Sequence, residues 1–174
     1  MEKHGYTWEA IKVTTEDGHI LTTFHITGNS DGLFTPTRPA VLFQHGDYSD
    51  ATIMMEGSGN STPMHCLVAE QGYDVYVGNN RGTEYSQGHE TLTTDDPEFW
   101  AWSWAEMGIY DDVANIQMMK ERSDFDKVYY VGYSQGTIQM FYALSHREEE
   151  ILADSLYRFI ALAPCTLSPQ FGNE

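Results

Sequence analysis

Lys127-Val128-Tyr129-Tyr130-Val131-Gly132-Tyr133-Ser134-Gln135-Gly136-Thr137 decides how the rest of this chain is read. Its middle five residues, Gly132 to Gly136, spell G-x-S-x-G, the pattern of a nucleophile elbow. Average glycine and serine usage makes one such pattern roughly a one-in-ten event in a chain of this size, so its flanks must carry the reading. Before it, Lys127 to Val131 is a short β-branched and aromatic run of the kind that forms a buried strand. After it, Thr137 to His146 places Ile138, Phe141 and Leu144 on one helical face. Strand, sharp turn and helix is the context the elbow needs. The serine backbone there is strained, and only small neighbours let the strand and helix close around it. Ser134 is therefore expected to project from the top of a sheet. The backbone amide of Gln135, at the helix N-terminus, is expected to donate to a developing oxyanion.

Working outward, the 174 residues suffice for one domain with a real core and are too few to expect two. A hydrophobic content of 41% with 13% aromatics is that of a globular protein, which sets disorder aside. The formal net charge of -17 argues against nucleic acid or an anionic membrane as a partner, because both reward Lys and Arg. Cys66 and Cys165 each adjoin an apolar run and read as small buried residues, not a bridge or a ligand pair. Met1 to Tyr6 carries no apolar leader, and no stretch is long enough to span a bilayer. Asn60-Ser61-Thr62 is a glycosylation sequon, meaningful only on an exported chain.

In chain order, alternating residues around Ile11, Val13 and Thr15, a turn at Glu16-Asp17-Gly18 and a second alternating run from Ile20 to Ile26 predict a β-hairpin. Gly28 to Pro39 reads as a loop. Ala40 to Phe43 is a continuous apolar run suited to a strand buried on both faces, ending at Gln44-His45-Gly46-Asp47. Tyr48 to Ser61 is polar and glycine-bearing, hence a loop. Thr62 is expected to cap a helix that starts at Pro63, buries Met64, Leu67 and Val68, and stops at Gly72. Asp74 to Val77 reads as the next strand and Gly78 to Gly82 as the loop leaving it. Strand, helix, strand in this rhythm predicts a parallel sheet. Thr83 to Asp96 is irregular, and Asp96-Pro97 starts a helical segment. Phe99, Trp100, Trp102 and Trp104 read as an aromatic wall of the core. Ile109, Val113 and Ile116 have helical spacing. His146 to Glu150 is a solvated charge run, and Tyr157 to Ala163 a last apolar strand.

These residues carry a resemblance. The hairpin Thr14-Thr15-Glu16-Asp17-Gly18, Phe43-Gln44-His45-Gly46, Gly72 to Gly82, Phe99-Trp100 with Ser103 to Gly108, Tyr110-Asp111, and Tyr130 to Thr137 together make the chain similar to the N-terminal half of the acid lipase family of α/β-hydrolases. That group contains the gastric and lysosomal acid lipases. The resemblance covers nearly the whole length and implies a single, partial α/β-hydrolase domain over residues 1–174. It implies a mostly parallel twisted sheet with helices on both faces, here truncated after about the sixth strand. It also implies hydrolysis of lipid esters, triacylglycerols or sterol esters, by a serine nucleophile with no metal or organic cofactor. The family's usual home is the lysosome or the extracellular space.

Carried over position by position, Ser134 matches the nucleophile, and the amides of Gln135 and Asp47 match the two oxyanion donors. His45 and Gly46 match the oxyanion loop. Two positions depart from the family: Tyr133 stands where it usually has His, and Asp47 where it has an apolar residue. A backbone donor survives any side chain, but a carboxylate turned inward would oppose a developing oxyanion.

The triad of such an enzyme runs Ser, acid, His along the chain, the last two on loops after later strands. Here those loops are expected beyond Glu174. The seven histidines precede or just follow the elbow. His45 reads as structural and His89 as an exposed loop residue, the two weighed as substitute bases. Two functions therefore stand: a serine lipase, or an inactive α/β-hydrolase fragment that binds lipid or a partner chain. With two strands missing, the strand ending Phe159 to Ala163 is expected to be an exposed sheet edge through which copies associate.

Overall fold

The structure is a computed structural model that describes residues 4–55, 62–146 and 152–166. Asn60 and Ser61 of the sequon, and Arg147 to Glu150 of the charge run, lie outside the described residues.

The expected hairpin forms from β1 (Thr7–Thr14) and β2 (His19–Asn29), paired antiparallel. Its turn is closed by Thr15, whose hydroxyl donates to Asp17 Oδ1 at 2.6 Å, and by Gly18 at φ 93°. The stretch read as a loop after Ile26 is partly strand. β2 runs on to Asn29 and folds back through β3 (Gly32–Leu33), because Gly32 reaches φ 138° where a side chain would be strained. β4 (Arg38–Gln44) follows, then β5 (Tyr73–Gly78), the short β6 (Gly88–His89), β7 (Val128–Tyr133) and β8 (Leu156–Leu162). The strand order is β1-β2-β5-β4-β7-β8, with β3 and β6 attached to β2. The pairs β5–β4, β4–β7 and β7–β8 are parallel, so the mixed sheet is parallel from its centre to the β8 side.

Alternation along β4 explains why that strand lacks a polar face. Val41 and Phe43 enter one apolar cluster with Val75, Val77, Val131, Ala51, Cys66 and Ala69. Ala40 and Leu42 enter another with Tyr76, Tyr130, Ile116, Met119, Met140 and Ala143. Helices α1 (Ala51–Met55) and α2 (Met64–Glu70) thus cover one face. α4 (Val113–Glu121) and α5 (Gln135–His146) cover the other, α4 following the short α3 (Trp104–Glu106) and a π-helical stretch from Met107 to Asp112.

Four further local expectations are corrected. The stretch from Tyr48 contains α1, started where the Asp50 carboxylate accepts the Thr52 N–H at 2.7 Å. On α2, Pro63 and not Thr62 holds the N-cap, and the inward side chains are His65, Cys66 and Ala69, while Met64 and Leu67 stand half exposed. On α5 the buried positions are Gly136, Thr137, Gln139, Met140 and Ala143. Small residues let the helix approach the sheet closely, and Phe141 is displaced outward against Phe159, ring centroids 4.9 Å apart. The aromatic wall is likewise split: Phe99 is fully buried, whereas Trp100 is 44% exposed.

At the opposite end of the sheet from the elbow, three strands meet at His25. Its Nδ1 lies 3.0 Å from Glu9 Oε1 and its Nε2 2.6 Å from Asp74 Oδ1, and its ring stacks on Tyr76 at 4.3 Å. Both ring nitrogens therefore face carboxylates. Burial pulls the imidazole down, but the bonds to Asp74 and Glu9 outweigh it and raise its pKa. A histidine raised in the fold contributes stability that is complete below its unfolded value of about 6.5 and is lost as pH climbs through the folded value. The urea midpoint of the parent chain is thus expected to fall relative to His25→Gln in the window that opens above about pH 6.5. A difference that stays flat across that window would show that His25 is not charged in the fold.

Candidate active site

Ser134 sits between β7 and α5 with φ 51°, a left-handed conformation that costs a non-glycine residue about 1–3 kcal/mol. Its neighbours hold it there. The Ser134 N–H donates to the Leu162 carbonyl at 3.0 Å, and the Thr137 N–H and hydroxyl donate to the Ser134 carbonyl at 2.9 and 2.6 Å. The flanking glycines are required by close approach. A Cβ on Gly132 would lie 2.5 Å from the Gly136 carbonyl oxygen, and one on Gly136 would lie 2.8 Å from the carbonyl oxygens of both Gln44 and His45.

The loop leaving β4 leans on the same point, since a Cβ on Gly46 would meet the Ser134 Cβ at 2.9 Å. His45 fixes this loop. Its Nδ1–H donates to the Gly46 carbonyl at 2.7 Å and its Nε2 accepts the Asn80 N–H at 3.1 Å, an arrangement that assigns the neutral Nδ1–H tautomer. Burial lowers its pKa, consistent with that neutral state. With both nitrogens occupied, His45 shapes the loop and is not free to take a proton from Ser134. His89, the other candidate base, is spent at the hairpin turn. Its Nδ1 accepts the N–H groups of Thr91 and Leu92 at 3.0 and 3.1 Å, and its ring packs on His19 and Phe99. Among the described residues no histidine is hydrogen-bonded to Ser134.

Asp47 is exposed, and its Oδ1 accepts the Tyr48 N–H at 2.9 Å, which ties the carboxylate to its own loop. Among the described residues no acceptor takes the backbone N–H of Asp47 or of Gln135, and both residues line one cleft of about 470 Å³. Ile53, Trp102, Trp104 and Met107 give that cleft its apolar wall. Trp102 and Trp104, expected in the core, are therefore in part a cleft surface. The Gln135 side chain is pinned aside, its Nε2 donating to Met107 Sδ at 3.1 Å.

Two neighbours of the site escaped the sequence reading. Cys165, expected to be buried, is half-buried; its Sγ lies 3.9 Å from Ser134 Oγ and its N–H donates to Thr137 Oγ1 at 2.9 Å. Nothing local announces this, because the contact spans β8. The other is Arg81 in the loop after β5, only 1% exposed and lining the cleft floor. Its Nε donates to Asp111 Oδ1 at 2.8 Å, its Nη1 and Nη2 to Asp17 at 2.6 and 2.9 Å, and its backbone N–H to Asp111 Oδ2 at 2.8 Å. Burial raises the Asp111 carboxyl against the lowering pull of Arg81. Asn79 adds to the clamp by accepting the Ala51 N–H at 2.9 Å and donating to the Thr22 carbonyl at 2.7 Å. The loop thus ties the hairpin, α1 and the π-helical stretch behind the cleft. A charged residue in a loop after a buried strand was the available signal.

The chain has relatives among known proteins. Residues 39–169 match the family described as alpha/beta hydrolase fold, and residues 1–54 match that described as partial alpha/beta-hydrolase lipase region. Human lipase member M is 39% identical over 168 residues, covering 94% of this chain and 38% of that protein. Lysosomal acid lipase/cholesteryl ester hydrolase of Macaca fascicularis is 38% identical over 161 residues, covering 92% and 40%. Gastric triacylglycerol lipase of Bos taurus is 39% identical, again covering 92% and 40%. The chain spans about two fifths of the length of these relatives. Among solved structures, an esterase of Pyrococcus furiosus superposes with a TM-score of 0.56 at 20% identity, covering 85% of this chain and 50% of that one. A Vigna radiata epoxide hydrolase gives 0.58 at 15%, covering 90% and 40%. At such identities these two speak for the fold alone.

Proposed function

The chain belongs to the α/β-hydrolase family, and from that premise we propose that it carries the nucleophile of a carboxylic-ester hydrolase acting on lipid esters. In this reading Ser134 Oγ attacks the ester carbonyl carbon and the carbonyl π pair moves onto oxygen. The N–H groups of Gln135 and Asp47 donate to that oxyanion, the alcohol departs, and water later releases the acyl group from Ser134. The serine proton must pass to a base, and no histidine among the described residues is placed to take it.

The observation that carries the proposal is that Asp47 and Gln135, whose N–H groups have no acceptor among the described residues, line one cleft, with Gly46 of the same loop close against the strained Ser134. Donors left without an acceptor at a helix N-terminus and a loop are suited to an oxygen that gains charge only during reaction. The apolar wall of Ile53, Trp102, Trp104 and Met107 suits an acyl chain. The similarity to triacylglycerol and cholesteryl ester lipases points to the same substrate class. The test is to treat the chain with a long-alkyl fluorophosphonate and map the adduct by mass spectrometry. Modification at Ser134 supports the reading, and modification only elsewhere overturns it.

The absence of a described histidine at Ser134 favours one second reading, an inactive chain that binds lipid or a partner through the same cleft. It predicts reversible retention of a lipid ester without any covalent adduct. We further propose that copies associate through β8, the last strand of the described sheet, whose Tyr157 and Ile160 are 48% and 42% exposed. Light scattering at micromolar concentration is expected to give more than the monomer mass; a stable monomer sinks this idea.

A further inference from the structure

Beneath the elbow lies a buried pair that the proposed chemistry does not use. The Tyr130 hydroxyl is 3.0 Å from Asp112 Oδ2 and 2.8 Å from the Gly136 carbonyl oxygen, and both side chains are completely buried. A phenol has one proton to give, and a carbonyl can only accept. If Tyr130 donates to Gly136, Asp112 must itself supply a proton to the phenol oxygen. If Tyr130 donates to Asp112, the Gly136 contact is left without a hydrogen. The other carboxyl oxygen, Asp112 Oδ1, is buried with no hydrogen-bond partner among the described residues. An ionised carboxylate there would hold a full charge on a single hydrogen bond, which is far more costly than a neutral acid with one idle acceptor.

Among the described residues no cation offsets such a charge. Tyr130 faces Asp112 from β7, Asp111 adds negative potential from the same helical stretch, and the buried Arg81 is already engaged by Asp111 and Asp17. Burial, reinforced by Asp111, pushes the Asp112 carboxyl well above the usual carboxylate range, and burial likewise keeps the Tyr130 phenol protonated.

We propose that Asp112 is a neutral carboxylic acid that donates to Tyr130, whose own proton then locks the Gly136 carbonyl, so that both are positioning residues for the turn carrying Ser134 and Gln135. Its consequence for chemistry rests on the functional reading above; the proton chain does not. Gly136 directly follows Gln135, so the lock holds the first turn of α5 at the distance the elbow requires. When base removes the Asp112 proton, Tyr130 turns its own proton to the carboxylate and Gly136 is released. The turn then loosens as pH rises.

Asp112→Asn is the decisive variant, because its amide donates to Tyr130 at every pH. A carboxyl raised in the fold keeps its proton while the unfolded chain loses one above about pH 4, so the parent's stability falls as pH rises through that window. The folding constant of Asp112→Asn is therefore expected to gain on the parent by up to about tenfold per pH unit above 4, until the folded carboxyl ionises. A gain independent of pH, or a variant that fails to fold, would overturn the neutral acid. The positioning role is read separately by NMR. The amide resonances of Gln135, Gly136 and Thr137 are expected to follow the Asp112 titration in the parent and to lose that response in Asp112→Asn and Tyr130→Phe. Amides that ignore the titration would remove the positioning role. Neither measurement depends on Ser134 reacting, so failure of the phosphonate adduct and failure of this proposal are distinguishable.

Discussion

Arg81→Met is expected to destabilise the chain by about 3–5 kcal/mol, the cost of leaving a buried carboxylate without its partner. Against a total stability of about 5–15 kcal/mol for a domain of this kind, that is from about a fifth to the whole of the margin. The magnitude follows from what the guanidinium satisfies. Its contacts with Asp17 and Asp111 occupy Nε, Nη1 and Nη2, the side chains of Arg81 and Asp111 are each 1% exposed, and among the described residues Asp111 has no other cation. Methionine matches the stem and removes only the charge and the donors. Arg81→Lys keeps a charge but not the planar fork, so it is expected to fall between the two. In Arg81→Met/Asp111→Leu the uncompensated charge is gone, and much of the stability is expected to return. Urea unfolding followed by tryptophan fluorescence measures all three. If Arg81→Met lies within about 1 kcal/mol of the parent, the ion pair is not what holds the loop behind the cleft.

The largest expected effect on chemistry is at Ser134. The long-alkyl fluorophosphonate is expected to label the chain slowly, and Ser134→Ala is expected to abolish the adduct. Slow labelling follows from geometry: the hydroxyl's described neighbour is Cys165 Sγ at 3.9 Å, and a thiol at that distance does not replace an imidazole as base. Loss of a triad member in serine proteases leaves about 10³ to 10⁴-fold catalysis over water from the oxyanion donors and binding. A residual rate is therefore compatible with an intact elbow. If a histidine is brought within hydrogen-bond reach of Ser134, the labelling rate is expected to rise at least about a thousandfold. Rapid labelling of the 174-residue chain, lost in Ser134→Ala, would instead place an active base within these residues or on a second copy. Cys165→Ala would then be the first control, since it removes the thiol 3.9 Å from Ser134 Oγ without touching the loop that His45 supports.

What the sequence determined by itself was whatever a short window contains. The elbow was legible because G-x-S-x-G is a local steric demand, met by Gly132 and Gly136 for reasons that involve only the turn, the next strand and one carbonyl loop. The hairpin, β4, β5 and β7 were legible because alternation or a continuous apolar run reports burial on one face or two. The resemblance to acid lipases joined those windows into one fold, which the family match over residues 39–169 bears out. Only the tertiary structure decided which helix faces are buried. Periodicity chose Ile138, Phe141 and Leu144 on α5, whereas close packing on the sheet selected the small residues Gly136, Thr137 and Ala143. Only the tertiary structure, too, joined Arg81 to Asp17 across 64 residues and set Cys165 beside Ser134 across 31. The physical reason is the same in each case. A hydrogen bond or a packing contact between distant residues depends on strand order and register, which no local pattern of hydrophobicity encodes.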